Sequence, residues 1–112
     1  MITFLKAEEQ HQHSNGGGWV ANTAVVAASA YIGPNAQVFG NARVYGDAWV
    51  FGNARVYGDA LVFGNAWVCG DALVFGNAQV YGDAWVYGDA RVCGNAQVYG
   101  DAILVTSKGE RQ

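Results

Sequence analysis

Apolar positions recur along the chain at every sixth residue. From Val38 it reads Val38-Phe39-Gly40-Asn41-Ala42-Arg43, then Val44-Tyr45-Gly46-Asp47-Ala48-Trp49, and the unit runs on to Ala102-Ile103. The frame extends backwards through Ile32 to Val26 and Val20 and forwards to Leu104, so the aliphatic position is 20, 26, 32 and every sixth residue to 104. An internal repeat of this kind decides the architecture before any local propensity does. A helix is excluded, because one glycine per unit costs about 1 kcal/mol each relative to alanine, and a period of six does not keep one helical face. The pattern predicts one short strand and one corner per hexad. In an extended Ala-x-Val-aromatic segment, Ala and Val point to one side while x and the aromatic point to the other. Gly followed by Asn or Asp then tolerates positive φ and turns the chain.

Size sorts the two sides. The Val/Ala set is small and nearly invariant, as a narrow close-packed interior requires, so Arg, Trp, Leu, Gln and the aromatics face outward. The outward set also counts the hexads in a coil. The residue before the aliphatic position is Tyr31, Trp49, Trp67, Trp85 and Ile103 at every third hexad, whereas the hexads between carry Gln37, Arg43, Arg55, Leu61, Leu73, Gln79, Arg91 and Gln97. Three hexads per coil place three of the four tryptophans in one column. The expectation is a triangular solenoid of five 18-residue coils, with neighbouring strands about 4.8 Å apart. One wall then shows Tyr31, Trp49, Phe51, Trp67, Cys69, Trp85, Tyr87, Ile103 and Val105 and no charge, while arginine and glutamine interrupt the other two. An apolar patch of several hundred Å² on a small protein marks a contact surface.

Length and charge narrow the classes. With 112 residues the chain holds one domain, and a net charge of −3 offers no basic patch for nucleic acid or anionic membrane. No apolar run approaches the roughly 20 residues of a membrane span, and the start Met1-Ile2-Thr3-Phe4-Leu5-Lys6 lacks the apolar core of an export signal. With two cysteines, the setting expected is the reducing cytoplasm. Cys69 and Cys93 fall on different walls, which argues against a bridge between them.

At Ile32-Gly33-Pro34-Asn35-Ala36 the chain resembles the hexapeptide-repeat proteins, the left-handed parallel β-helices typified by trimeric acyltransferases. The run of Tyr/Phe-Gly-Asn/Asp-Ala-x-Val, opened by Gly16-Gly17-Gly18-Trp19-Val20, is similar to bacterial and phage members defined by that repeat alone. The resemblance covers residues 19 to about 106. It implies a left-handed coil and a homotrimer. Acyltransferases of the group use a wall histidine as general base, and related carbonic anhydrases hold zinc with three histidines of neighbouring coils. Here His11 and His13 both precede the first hexad. Asp47, Asp59, Asp71, Asp83, Asp89 and Asp101 occupy the corner position, where hydrogen bonding accounts for them. Three hexads per coil stack most of these on an asparagine, a pattern that lapses at Asp83 over Asp101 and Asp71 over Asp89. His11 and His13 on a mobile leader are two ligands, short of a metal site. Gly16-Gly17-Gly18 has no Lys-Ser/Thr after it and reads as a hinge, not a phosphate loop.

The reading is an all-β, single-stranded, left-handed parallel β-helix, with a leader or cap at 1–18, the solenoid at 19–106 and a tail at 107–112. No catalytic residue, cofactor or metal is expected. The expected role is a scaffold or binding module that self-associates, as a trimer, through Tyr31, Trp49, Phe51, Trp67, Trp85, Tyr87 and Ile103. Two alternatives stand beside it. One is an acyltransferase-like transferase; the other is a carbohydrate- or protein-binding platform, since tryptophan faces stack on sugar rings.

Overall fold

The structure is a computed structural model of the chain and describes residues 1–106. The charged tail with Lys108, Glu110 and Arg111 lies outside the described residues. Among the described residues a single 3-10 turn, Ala7–Glu9, precedes sixteen strands. The leader contributes β1 (Gln10–Gln12), and the first coil is β2 (Trp19–Ala21), β3 (Val25–Val26) and β4 (Tyr31–Ile32). The second coil is β5 (Gln37–Val38), β6 (Arg43–Val44) and β7 (Trp49–Val50); the third is β8 (Arg55–Val56), β9 (Leu61–Val62) and β10 (Trp67–Val68). The fourth is β11 (Leu73–Val74), β12 (Gln79–Val80) and β13 (Trp85–Gly88), and the last is β14 (Arg91–Val92), β15 (Gln97–Val98) and β16 (Ile103–Thr106).

From β2 to β13 each strand pairs in parallel with the strand three further along the chain. The first wall stacks β2, β5, β8, β11 and β14; the second stacks β3, β6, β9, β12 and β15; the third stacks β4, β7, β10, β13 and β16. Register follows the repeat, with Trp67 opposite Trp49 and Trp85, and Val68 opposite Val50 and Val86. The fold is therefore the five-coil β-solenoid that the hexads require. Backbone bonds tie each coil to the next at the walls, where Trp49 N–H donates to Ala66 O at 2.9 Å, and again at the corners, where Asn53 N–H donates to Gly70 O at 2.8 Å. The long crossovers that normally make parallel pairing expensive are replaced here by the coil itself.

The interior is a column of valines and alanines. From Ala30 to Ala90 the Ala and aliphatic positions of every hexad are fully buried, Val44, Ala48, Val62 and Ala66 among them. Alternation alone places them there, because neighbours in the extended hexad face opposite sides.

The corners refine one expectation. Among the described residues positive φ is confined to glycine, from 64° to 70° at Gly40 through Gly100, and no Asn or Asp shares it. Glycine is required for space as well as for φ. A Cβ on Gly58 would stand 2.9 Å from the backbone N of Gly76 in the next coil, so two corner glycines stack where no side chain fits.

Two expectations about the leader are corrected. It does not trail as a mobile segment, because β1 pairs antiparallel with β2, His11 opposite Val20. Nor is Gly16-Gly17-Gly18 a hinge. Gly18 N–H donates to Ile32 O at 2.9 Å, and a Cβ on Gly18 would stand 2.2 Å from Ile32 Cγ2. Gly16 and Gly18 seat the leader against the first coil by close approach.

Candidate functional site

The tryptophan wall is built by one strand of each coil. In β4, β7, β10, β13 and β16 the aliphatic residue points inward, which turns Tyr31, Trp49, Trp67, Trp85 and Ile103 outward in a single column. The position after the aliphatic residue supplies a second column, with Phe51, Cys69 and Tyr87 at its centre. All seven residues singled out from the sequence, Tyr31, Trp49, Phe51, Trp67, Trp85, Tyr87 and Ile103, lie on this one wall. Trp49 and Trp85 are exposed at 42% and 43%, and Ile103 at 62%.

The rings lie in an ordered stack. Trp49 and Trp67 have centroids 5.3 Å apart and planes within 10°, and Trp67 and Trp85 are 4.9 Å apart and within 2°. Tyr31 closes the stack at 5.0 Å from Trp49 with a 37° tilt. Phe51 stands nearly perpendicular to both Trp49 and Trp67, with centroids 6.0 and 5.7 Å away. The strand spacing dictates this, since residues in register one coil apart are at the separation that aromatic stacking prefers. Both faces of Trp67 are consequently covered by neighbouring indoles, and the wall presents ring edges.

Two further ring columns were not drawn from the sequence, although the same 18-residue step marks them at the position after the aliphatic residue. Phe39, Tyr57 and Phe75 stack on the first wall at 4.7 and 5.0 Å. Tyr45, Phe63, Tyr81 and Tyr99 stack on the second at 4.9, 4.9 and 5.3 Å. Those two walls differ from the tryptophan wall in charge. Arg55 and Arg91 stand out of the first and Arg43 out of the second, all exposed, and the tryptophan wall has no counterpart.

The remaining polar candidates have local partners. His13 is buried and its Nε2 lies 2.8 Å from Ala30 O, a carbonyl that can only accept, so Nε2 carries the proton. His11 Nδ1 lies 2.7 Å from Asn22 Oδ1. At the corners Asn53 Nδ2 donates to Asp71 Oδ1 at 3.2 Å and Asn65 Nδ2 to Asp83 Oδ1 at 3.3 Å. At these two corners the stacking of Asp on Asn is hydrogen-bonded. Asp83 and Asp101, where that alternation lapses, border a shallow open hollow with Trp85 and Ile103. Among the described residues no three His, Cys, Asp or Glu side chains converge as a metal site would need. Cys69 and Cys93 are free thiols, and burial pushes the Cys69 thiol up from its ordinary value.

Three parallel sheets wound from one strand per wall, with a Val/Ala interior and aromatic ladders outside, define a β-solenoid repeat protein. The chain belongs to the YdcK β-solenoid repeat family, whose model matches residues 36–52, 54–70, 66–82, 78–94 and 84–100, together more than half of it. The matched segments begin at positions that differ by six or a multiple of six, the hexad of the sequence. No curated protein and no solved structure matches the chain. No helix is long and apolar enough to cross a membrane among the described residues.

Proposed function

We propose that the chain is a non-catalytic scaffold whose tryptophan wall is the surface through which copies associate side by side. The observation that carries this is the contrast between walls: all three bear stacked rings, and one of them alone is without charge. Stacking within the chain explains the rings on every wall. It does not explain why arginine is kept off the wall of Tyr31, Trp49, Trp67, Trp85 and Ile103. A contact surface does, because burying a charge without a partner is costly while burying ring edges and Ile103 is favourable.

A trimer is the arrangement proposed. One apolar wall per triangular rod lets three rods face a common axis, each using the same patch, which closes the assembly and leaves the arginine-bearing walls in water. The resemblance to trimeric hexapeptide-repeat proteins supports the same number. A sugar platform is less favoured, because carbohydrate rings bind aromatic faces and the faces of Trp67 are taken by Trp49 and Trp85.

The test is absolute mass by light scattering on a size-exclusion column over a wide concentration range, for the native chain and for Trp67→Asp and Trp49→Lys. A stable trimer that both substitutions reduce to monomer, with unchanged β-sheet circular dichroism, supports the proposal. A native monomer throughout, or an oligomer that ignores both substitutions, overturns it.

A further inference from the structure

The two ends of the solenoid match each other. Five coils run from β2 to β16; the first begins with β2 and the last with β14, both in the first wall, so the two end coils present one strand per wall in the same order. Continuing each ladder by one 18-residue step from the last coil of one copy to the first coil of the next sets Val92 on Val20, Val98 on Val26 and Leu104 on Ile32. Every aliphatic position meets an aliphatic position. At the corners the same step sets Asn95 on Thr23 and Asp101 on Ser29, so no carboxylate meets a carboxylate. The last coil is also incompletely covered. Val98 and Leu104 are half-buried and Ala96 and Ala102 exposed, whereas Ala78, Val80, Ala84 and Val86 one coil earlier are fully buried. Strands β14, β15 and β16 each terminate their sheet.

At the opposite end the chain's own leader occupies the matching edge. Antiparallel β1 lies along β2. Asn15 O accepts the N–H of Ile32 at 3.0 Å, and Ile32 O accepts that of Gly18 at 2.9 Å, which takes up β4. β3, like β4, ends its sheet, and there Val25 is 61% exposed. The leader is held by the buried Gln10, whose Oε1 accepts the N–H of Ile2 at 2.7 Å and whose Nε2 donates to the carbonyls of Ile2 at 3.0 Å and Leu5 at 3.1 Å. Phe4 sets its edge on Phe39 at 5.1 Å and so ends one ring column.

We infer that the first coil, beneath its leader, is a docking surface for the last coil of a second copy, and that the leader keeps the protein out of head-to-tail polymers by occupying that surface. The partner is a second copy because the surface calls for three short parallel strands, one per wall and in one register, and the chain's own last coil has them. An antiparallel strand in that place satisfies β2 but offers no continuation of the coil, so growth stops. Displacing the leader turns a closed end into a growing one. A heterologous contact of this kind does not close, and its product is a filament. The tryptophan wall plays no part in it, so side-by-side association and end-to-end growth succeed or fail separately.

The experiment uses the full chain. Gly18→Val unseats the leader, since even a Cβ at that position overlaps Ile32 Cγ2 at 2.2 Å and Gly33 O at 2.4 Å. Gln10→Ala loosens it without touching the coils, because the Gln10 side chain bonds only to leader residues. Release of the leader is read by limited proteolysis, growth by light scattering and negative-stain electron microscopy. The expected result is unbranched filaments and at least a tenfold rise in mean mass at concentrations where the native chain stays discrete, reversed by adding Leu104→Asp in the last coil. A released leader with unchanged mass overturns the inference, as does growth that Leu104→Asp leaves in place. If Gly18→Val loses its β-sheet circular dichroism, Gln10→Ala decides by the same criteria.

Discussion

The indole of Trp67 lies 4.9 Å from that of Trp85 with the two planes 2° apart, directly along the ladder that also pairs Val68 with Val86. The same register that builds the interior therefore builds the surface stack. Trp67 is the centre of it, with Trp49 on its other face and Phe51 at its edge. Replacing it with leucine keeps an apolar outward residue but removes both stacked pairs. Trp67→Leu is expected to lower stability by about 1–3 kcal/mol, two pairs at the usual worth of an aromatic contact, measured by urea denaturation at one fixed protein concentration. No loss of stability would make the rings passengers of the fold.

How far this could be read beforehand depended on periodicity. Counting sixes and eighteens puts Val44 and Ala48 inside and Trp67 beside Trp85, because in a solenoid neighbours in space are neighbours at a fixed step in sequence. Where no step exists, counting fails. The leader has no repeat, so the network around Gln10 and the antiparallel pairing of His11 with Val20 had no signature in the sequence. The corner glycines were readable for their φ, but not for the stacking of Gly58 on Gly76, which depends on how closely two coils approach. The Tyr45, Phe63, Tyr81 and Tyr99 column was open to the same arithmetic as the tryptophans. Interior packing and coil pairing choose nearly every residue of the hexad, which leaves few positions free to carry a functional signature.

Glycines of one conformation but unequal surroundings give a second prediction. Gly58 and Gly94 have φ of 69° and 64°, yet a Cβ on Gly58 meets Gly76 N at 2.9 Å while one on Gly94 meets nothing within 4 Å. Gly94→Ala carries only the left-handed backbone penalty, about 1–2 kcal/mol. Gly58→Ala adds an overlap with backbone that can yield only by spreading two coils. Thermal unfolding should therefore show a clearly larger fall in Tm for Gly58→Ala, and equal falls would mean that spacing at the corners is slack.

The two thiols should separate by reactivity. Cys93 is exposed, whereas Cys69 is half-buried among the tryptophan-wall rings and its thiol is pushed up by burial. A raised thiol pKa means less thiolate at any pH below it, and thiolate is the reacting species. At pH 8 a maleimide or disulfide reagent should modify Cys93 first and Cys69 several-fold more slowly, as read by mass spectrometry of the two peptides. The gap should narrow as pH rises and the Cys69 thiol ionises. Equal rates at pH 8 would show that the wall does not shield its sulfur.

The corner ladder gives the last prediction. Asn53 Nδ2 donates to Asp71 Oδ1 at 3.2 Å across one coil, so the amide both satisfies the carboxylate and keeps a second negative charge away from it. Asn53→Asp changes no volume and leaves the backbone bond from residue 53 to Gly70 O in place, but it removes the donor and sets two carboxylates one coil apart. Repulsion at that separation between exposed groups is modest and screened by salt. The variant should unfold at a lower temperature than the native chain in dilute buffer at pH 7, and recover most of the difference at high salt. A deficit that survives high salt would assign the effect of Asn53 to the geometry of the corner. Relief by salt would show that alternation of Asn and Asp along the repeat is an electrostatic device, one that permits a rod of stacked corners to carry acidic residues at every second turn.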